Sequence, residues 1–197
     1  MRRILFSGLF AFFVLAELNA SPVCAKVEDN DRRLACYDAE YRPSTRSEIE
    51  SSWNVSESVS PIDDSKEIVL RTESTEAVRS RFGRADKIRL YIRCSENTTA
   101  MFINFSGHHM SDHGSYGEVT MRVDSKPAFT VEMAESTDHK ALGVWRGSAS
   151  ISYIKLLFGG QMLTVRATPY SESPITAQFP ISGLENAIQP LRETCGW

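Results

Sequence analysis

The chain has 197 residues, a net charge of −3 with histidine neutral, 24% charged residues and 42% hydrophobic residues. Lysine and arginine are scattered among acids with no cationic block, which argues against a nucleic-acid partner. The length suits one domain with a real core.

The N-terminus reads Met1-Arg2-Arg3, then an apolar run from Ile4 to Ala16, then Glu17-Leu18-Asn19-Ala20. A basic start, a short apolar stretch and small or apolar residues at Leu18 and Ala20 predict a secretory signal cut after Ala20. The run is shorter than the about 20 residues a membrane span needs. Val23 before Cys24 is too bulky for a lipidation site, so no membrane attachment is expected after cleavage. Residues 21–52 then read as a disulfide-clipped helical segment and polar linker, and 53–197 as a β-sandwich domain. Asp29 to Asp31 cap a helix carrying Arg32 to Tyr41, with Leu34, Tyr37 and Tyr41 on one stripe. Pro43 breaks it.

In the main domain, Pro61 with Asp63-Asp64-Ser65 marks a turn before a strand from Lys66 to Glu73. Glu76 to Gly83 reads as a connection. From Lys87 the pattern becomes strict: Ile88, Leu90, Ile92 and Cys94 alternate with Arg89, Tyr91 and Arg93, the period of a half-buried strand. Ser95 to Thr98, with Asn97, is a tight turn. The strand after it, with Ala100, Phe102, Ile103 and Phe105, reads as buried on both faces. A Gly- and His-rich loop follows from Ser106 to Ser115. Val119, Met121 and Val123 alternate with Glu118, Thr120 and Arg122, and Asp124 to Pro127 turns the chain into a return strand, Phe129 to Met133. Ala134 to His139 is a polar turn and Lys140 to Trp145 a short strand.

The period lengthens over Ser148 to Phe158, where Ile151, Ile154, Leu157 and Phe158 predict a helix ended by Gly159-Gly160. Strands follow at Gln161 to Thr168 and Ile175 to Phe179. A last helix spans Gly183 to Arg192, bent or shortened by Pro190. The fold class is therefore mainly β: an antiparallel sandwich of about eight strands with two short helices.

Cys24, Cys36, Cys94 and Cys195 make an even set in an exported chain, which predicts disulfides. Of the three connectivities we expect Cys24–Cys36, a local clip, and Cys94–Cys195, joining the core hairpin to the last turn. No Cys-x-x-Cys pair suggests zinc. The metal-like cluster is His108, His109, Asp112 and His113, a ligand set zinc or copper accepts, set in a loop bounded by Gly107 and Gly114 without a recognised ligand spacing. It is a weak candidate, and no cofactor is expected. Asp63-Asp64 and Glu96-Asn97 read as polar turns before they read as sites. No Gly-x-Ser-x-Gly elbow offers a nucleophile. Phe102, Phe105, Phe129, Trp145 and Phe158 are assigned to the core, while Trp53 and Trp197 are candidates for covering sheet edges.

Several pieces in order carry a resemblance: Cys24 with Arg33-Leu-Ala-Cys-Tyr-Asp38; Trp53 with Ser60-Pro-Ile-Asp-Asp-Ser65; Leu90-Tyr-Ile-Arg-Cys-Ser-Glu-Asn-Thr-Thr99; and Gly183-Leu with Leu191-Arg and Cys195-Gly-Trp197. Over nearly the whole mature chain this resembles the VasI/TagO family of type VI secretion-associated proteins. The resemblance implies a periplasmic protein of a Gram-negative cell, encoded with a contractile secretion machine, and supplies no catalytic residues. The expectation is a non-catalytic accessory protein that binds a protein component of the assembly or the cell wall. The alternatives are an exported inhibitor or immunity-type binding protein, and a metal-dependent hydrolase using the histidine loop.

Overall fold

The structure is a computed structural model that describes residues 24–41, 51–79 and 83–197; the signal segment 1–20 and most of the polar linker lie outside the described residues. The chain divides into two units, Met1–Ser47 and Glu48–Trp197. In the first, a 3-10 turn at Cys24–Lys26 precedes helix α1, Asn30–Tyr41. Asp29 caps the helix: its Oδ1 accepts the Arg32 backbone N–H at 2.9 Å, satisfying one of the orphan donors of the first turn. Cys24 and Cys36 are bonded, and Leu34 stands 61% exposed.

The second unit is built on a hairpin of β3, Ala85–Ser95, and β4, Thr98–Asn104. Glu96 and Asn97 between them both have positive φ, the geometry of a two-residue turn whose twist matches its flanking strands. Strand β2, Lys66–Arg79, pairs with β3. The six-stranded sheet is completed on one side by β1, Asn54–Val59, and on the other by β8, Ala141–Val144, and β7, Ala134–Glu135, in the order β1-β2-β3-β4-β8-β7. The four-stranded sheet holds β5, Glu118–Val123; β6, Phe129–Glu132; β9, Met162–Ala167; and β10, Ile175–Pro180, in the order β10-β9-β5-β6. Every pairing is antiparallel, so the architecture is the antiparallel sandwich expected, with ten strands rather than about eight.

The core is what alternation dictates. Ile68 and Leu70 of β2, Ile88, Leu90, Ile92 and Cys94 of β3, and Met101 and Ile103 of β4 face Val119, Met121 and Val123 of β5 and Leu163 and Val165 of β9, all buried. Thr72 reaches across the interface, its hydroxyl donating to the Pro180 carbonyl at 2.9 Å. Trp53 does not cover an edge: it is buried in this core, and its indole N–H donates to the Ile181 carbonyl at 3.2 Å.

Elsewhere the structure departs from the pattern of the sequence. Residues 54–59 form an edge strand that polar residues disguise, and all six are exposed. Strand β2 continues to Arg79 through a register shift between Glu73 and Ala77, where a connection was expected. Strand β4 is not uniformly buried. Met101, Ile103 and Phe105 point inward, whereas Phe102 and Asn104 are half-buried on the outer face. The last helix is two: α3, Leu184–Ala187, and α4, Gln189–Cys195, with Pro190 in the first turn of α4, where its missing N–H costs nothing.

Helices α2, Gly147–Leu156, and α4 gather at the end of the sandwich marked by the β3–β4 turn. Ile154 and Leu157 of the α2 region are buried in the core, as are Ile188 and Leu191 beside α4. Cys195 is bonded to Cys94, and the Trp197 indole N–H donates to the Thr99 hydroxyl at 2.9 Å. The Cys94–Cys195 bond spans 101 residues of sequence, against 12 for Cys24–Cys36. Its loop-closure contribution is about 2–5 kcal/mol. Cys195→Ser is therefore expected to lower the melting temperature by on the order of 10 °C, at about 2–4 °C per kcal/mol for a domain of this size. The double change Cys24→Ser, Cys36→Ser should leave the main transition nearly unmoved. Calorimetry on the oxidised proteins checks both; equal losses would mean that the long bond does not hold the sandwich.

Candidate functional site

The six-stranded sheet presents its inner face to the second sheet and leaves its outer face half-exposed. On that face the register places Tyr91 opposite Phe102 and Phe102 opposite Gly143, and Trp145 follows two residues beyond. The rings form a row across the strands: Tyr91 stacks on Phe102 with centroids 4.9 Å apart and planes 10° from parallel, and Phe102 on Trp145 at 5.2 Å and 27°. The Arg93 guanidinium lies 5.8 Å from the Phe102 centroid, within cation–π range. The indole N–H of Trp145 donates to the Ala134 carbonyl at 3.0 Å, which fixes its orientation. Gly143 makes room for the row. A Cβ there would come within 2.6 Å of the Phe102 Cβ and 2.9 Å of the indole ring.

Two residues assigned to the core thus belong to a surface. The signal that finds them is register: once Tyr91 is placed outward by alternation, its cross-strand partner must be outward too. The rest of the face is a lattice of opposite charges. Glu73 accepts from Arg89 at 3.1 Å, Arg89 reaches Asp86 at 3.1 Å, and Arg93 Nε lies 3.9 Å from Glu67. Cations and carboxylates alternate along it, with Arg71 also 4.0 Å from Glu73.

The other cluster is the loop end of the sandwich, where residues 105–117, 135–140 and 169–174 are laced by backbone bonds: Phe105 N–H to Lys140, Met110 N–H to His139 and Tyr170 N–H to His109. His108 is buried, its Nδ1 3.2 Å from the Glu172 carboxylate, and its Nε2 has no partner among the described residues. His109 is exposed and stacks beside His139 at 5.0 Å, with Tyr170 edge-on at 5.8 Å. His139 pairs with Glu135 at 3.0 Å. Asp112 accepts the Glu135 backbone N–H at 3.2 Å, and His113 is exposed. Consecutive residues in an extended loop point to opposite sides, so His108 turns inward while His109 turns out. Among the described residues no group of three or more His, Cys, Asp or Glu could hold a metal ion.

The remaining acidic candidates serve turns. Asp63 Oδ1 accepts both the Ser65 N–H and its hydroxyl, at 3.2 and 2.8 Å. Hydrogen bonds from Ser60, then Ser65, hold its carboxyl below the ordinary range. Asp138 is lowered in the same way, first by Ser136 and then by the Lys140 N–H. Asp86 is lowered first by its hydrogen bond from Arg89 and then by the Lys87 N–H. No helix among the described residues is long and apolar enough to cross a membrane.

A family model described as "Type VI secretion system VasI, EvfG, VC_A0118" matches residues 23–197. No curated protein matches the chain. Among solved structures, invasion associated protein B from Bartonella henselae aligns with a TM-score of 0.46 and 10% identity, over 75% of this chain and 96% of that one.

Two outcomes follow from this geometry. Gly143→Ala is expected to push the Trp145 ring off Phe102, cost about 1–3 kcal/mol as an overpacking change, and weaken the near-ultraviolet dichroism of the stack; an unaltered spectrum would show that the row does not depend on Gly143. The second concerns acid. Asp63, Asp86 and Asp138 have folded-state pKa values below their unfolded values, so the unfolded chain takes up protons first. The stability they contribute is complete above the unfolded value of about 3.9 and is lost as pH falls through the folded values. Melting temperature should therefore drop below about pH 4, and Asp86→Asn should remove part of the drop; a profile identical to wild type would exclude the Asp86–Arg89 pair as a source.

Proposed function

Because the chain belongs to the VasI family of the type VI secretion system, we propose that it works in the periplasm as a non-catalytic accessory protein that binds a protein component of the assembly or the cell wall around it. Type VI secretion is the setting in which the site must act, and the outer sheet face with its aromatic row is the observation that carries the reading. Large rings on a sheet face lose contact with water only in part, and a rigid, half-exposed aromatic surface is the kind of patch that binding sites use. An oxidising compartment is supported by two disulfides, with no free cysteine among the described residues.

The non-catalytic part of the reading is supported by how the ionisable side chains are used. Asp63 and Asp138 close turns, Asp86 and Glu73 hold Arg89, and Glu172 is committed to His108. Deletion of the gene is expected to impair type VI secretion. The full-length chain should restore it, and a version beginning at Ser21, which lacks the export segment, should not. Normal secretion from the deletion strain, together with a periplasmic pull-down that recovers neither a secretion component nor cell wall, would refute the accessory role.

A further inference from the structure

The outer-face row ends at Trp145, and that indole lines two adjoining grooves. One, of about 290 Å³, is rimmed by Glu135, Ser136 and Thr137. The other, of about 460 Å³, is rimmed by Glu132, Ala134, Arg146 and Ala149. We infer that these grooves are a glycan-binding site in which Trp145 is the stacking platform for a pyranose ring of a neutral, gluco-configured saccharide. This deepens the binding reading above and rests on it, naming the cell-wall glycan as the ligand class.

Three features select that chemistry. The platform is pre-organised: its N–H is fixed on Ala134 at 3.0 Å and its ring is stacked on Phe102 at 5.2 Å. A ligand therefore need not order it, which removes part of the entropy cost of binding. The apolar content is a single aromatic plate. Of the other apolar lining residues, Val144 is buried and Ala134 and Ala149 are small, whereas the centre of a protein interface gathers several large anchors. A pyranose with equatorial hydroxyls has the complementary form: axial C–H groups make its faces apolar and hydroxyls ring its edge. The rims offer that edge exposed carboxylate, hydroxyl and guanidinium groups on Glu132, Thr137 and Arg146, which together donate and accept. Two carboxylates, Glu132 and Glu135, against one guanidinium discriminate against a polyanion and match a neutral ligand. Two grooves that share one aromatic platform suit a chain of sugars rather than a single monosaccharide.

The test titrates the oxidised mature chain with the β-1,4-linked N-acetylglucosamine tetramer, follows tryptophan fluorescence, and measures co-sedimentation with purified peptidoglycan sacculi. Saturable binding of the tetramer with a fluorescence change is expected, and a β-1,4-galactose tetramer, whose axial C4–O linkages bend the chain and break the flat apolar face, should bind at least several-fold more weakly. Trp145→Ala should weaken tetramer binding at least tenfold, and Trp145→Phe should retain part of it. If Trp145→Ala loses the native dichroism, Thr137→Val and Arg146→Gln, both exposed rim changes, are read instead and should each weaken affinity several-fold. No binding of tetramer or sacculi to the wild-type chain overturns the inference, as does affinity unchanged in folded Trp145→Ala or in both rim variants. A secretion defect in the deletion strain alongside no glycan binding would remove the glycan site alone. Normal secretion alongside measured glycan binding would remove the accessory role alone.

Discussion

The covalent tie between Cys94 and Cys195 sets how the sandwich is closed. Two stacked antiparallel sheets bury their inner faces but leave two open ends, where core side chains would otherwise meet water. Cys94 is the last inward residue of β3 before the hairpin turn, and Cys195 is the last residue of α4. Joining them brings the final helices onto the end of the core, with Ile188 and Leu191 buried there. Trp197 continues the seal, donating to Thr99 while Arg192 and Lys155 lie 5.3 and 5.7 Å from its ring.

With that end sealed by helices, the opposite end is free to carry loops. The β4–β5, β7–β8 and β9–β10 connections meet there and satisfy one another's backbone groups. All four histidines sit at this end, and three of them engage local partners, His108 with Glu172, His139 with Glu135, and His109 with His139 and Tyr170, while His113 is exposed. The surface left with unspent capacity is the outer sheet face. Arg89 is paired with Glu73 across strands and with Asp86 along β3, and the aromatics of the face are stacked, with Trp145 pinned on Ala134. Exposed ion pairs of this kind add little stability, and they occupy the β2 and β3 part of the face, apart from the grooves at Trp145. Membership of the VasI family, two disulfides and this face are what the proposed binding role rests on.

The sequence by itself determined much of this protein. The inward set Ile88, Leu90, Ile92 and Cys94 is written in the alternation, as are Val119, Met121 and Val123, because a strand's side-chain period is two whatever it packs against. The turn at Glu96-Asn97 and the helix stop at Gly159 are local chemistry and were equally legible. Tertiary structure decided the rest. Strand β1 is invisible to an apolar pattern because, as an edge with both faces in water, its residues have no burial to record. Phe102 and Trp145 look like core residues because composition reports that a side chain is apolar and not which face it occupies; only the pairing of β4 with β3 and β8 puts them outside. Four cysteines leave three pairings open until the packing of α4 carries Cys195 to Cys94. The histidine loop reads as a ligand set because neighbours in sequence look like neighbours in space, whereas an extended backbone turns successive side chains to opposite sides and divides them between the core and the solvent.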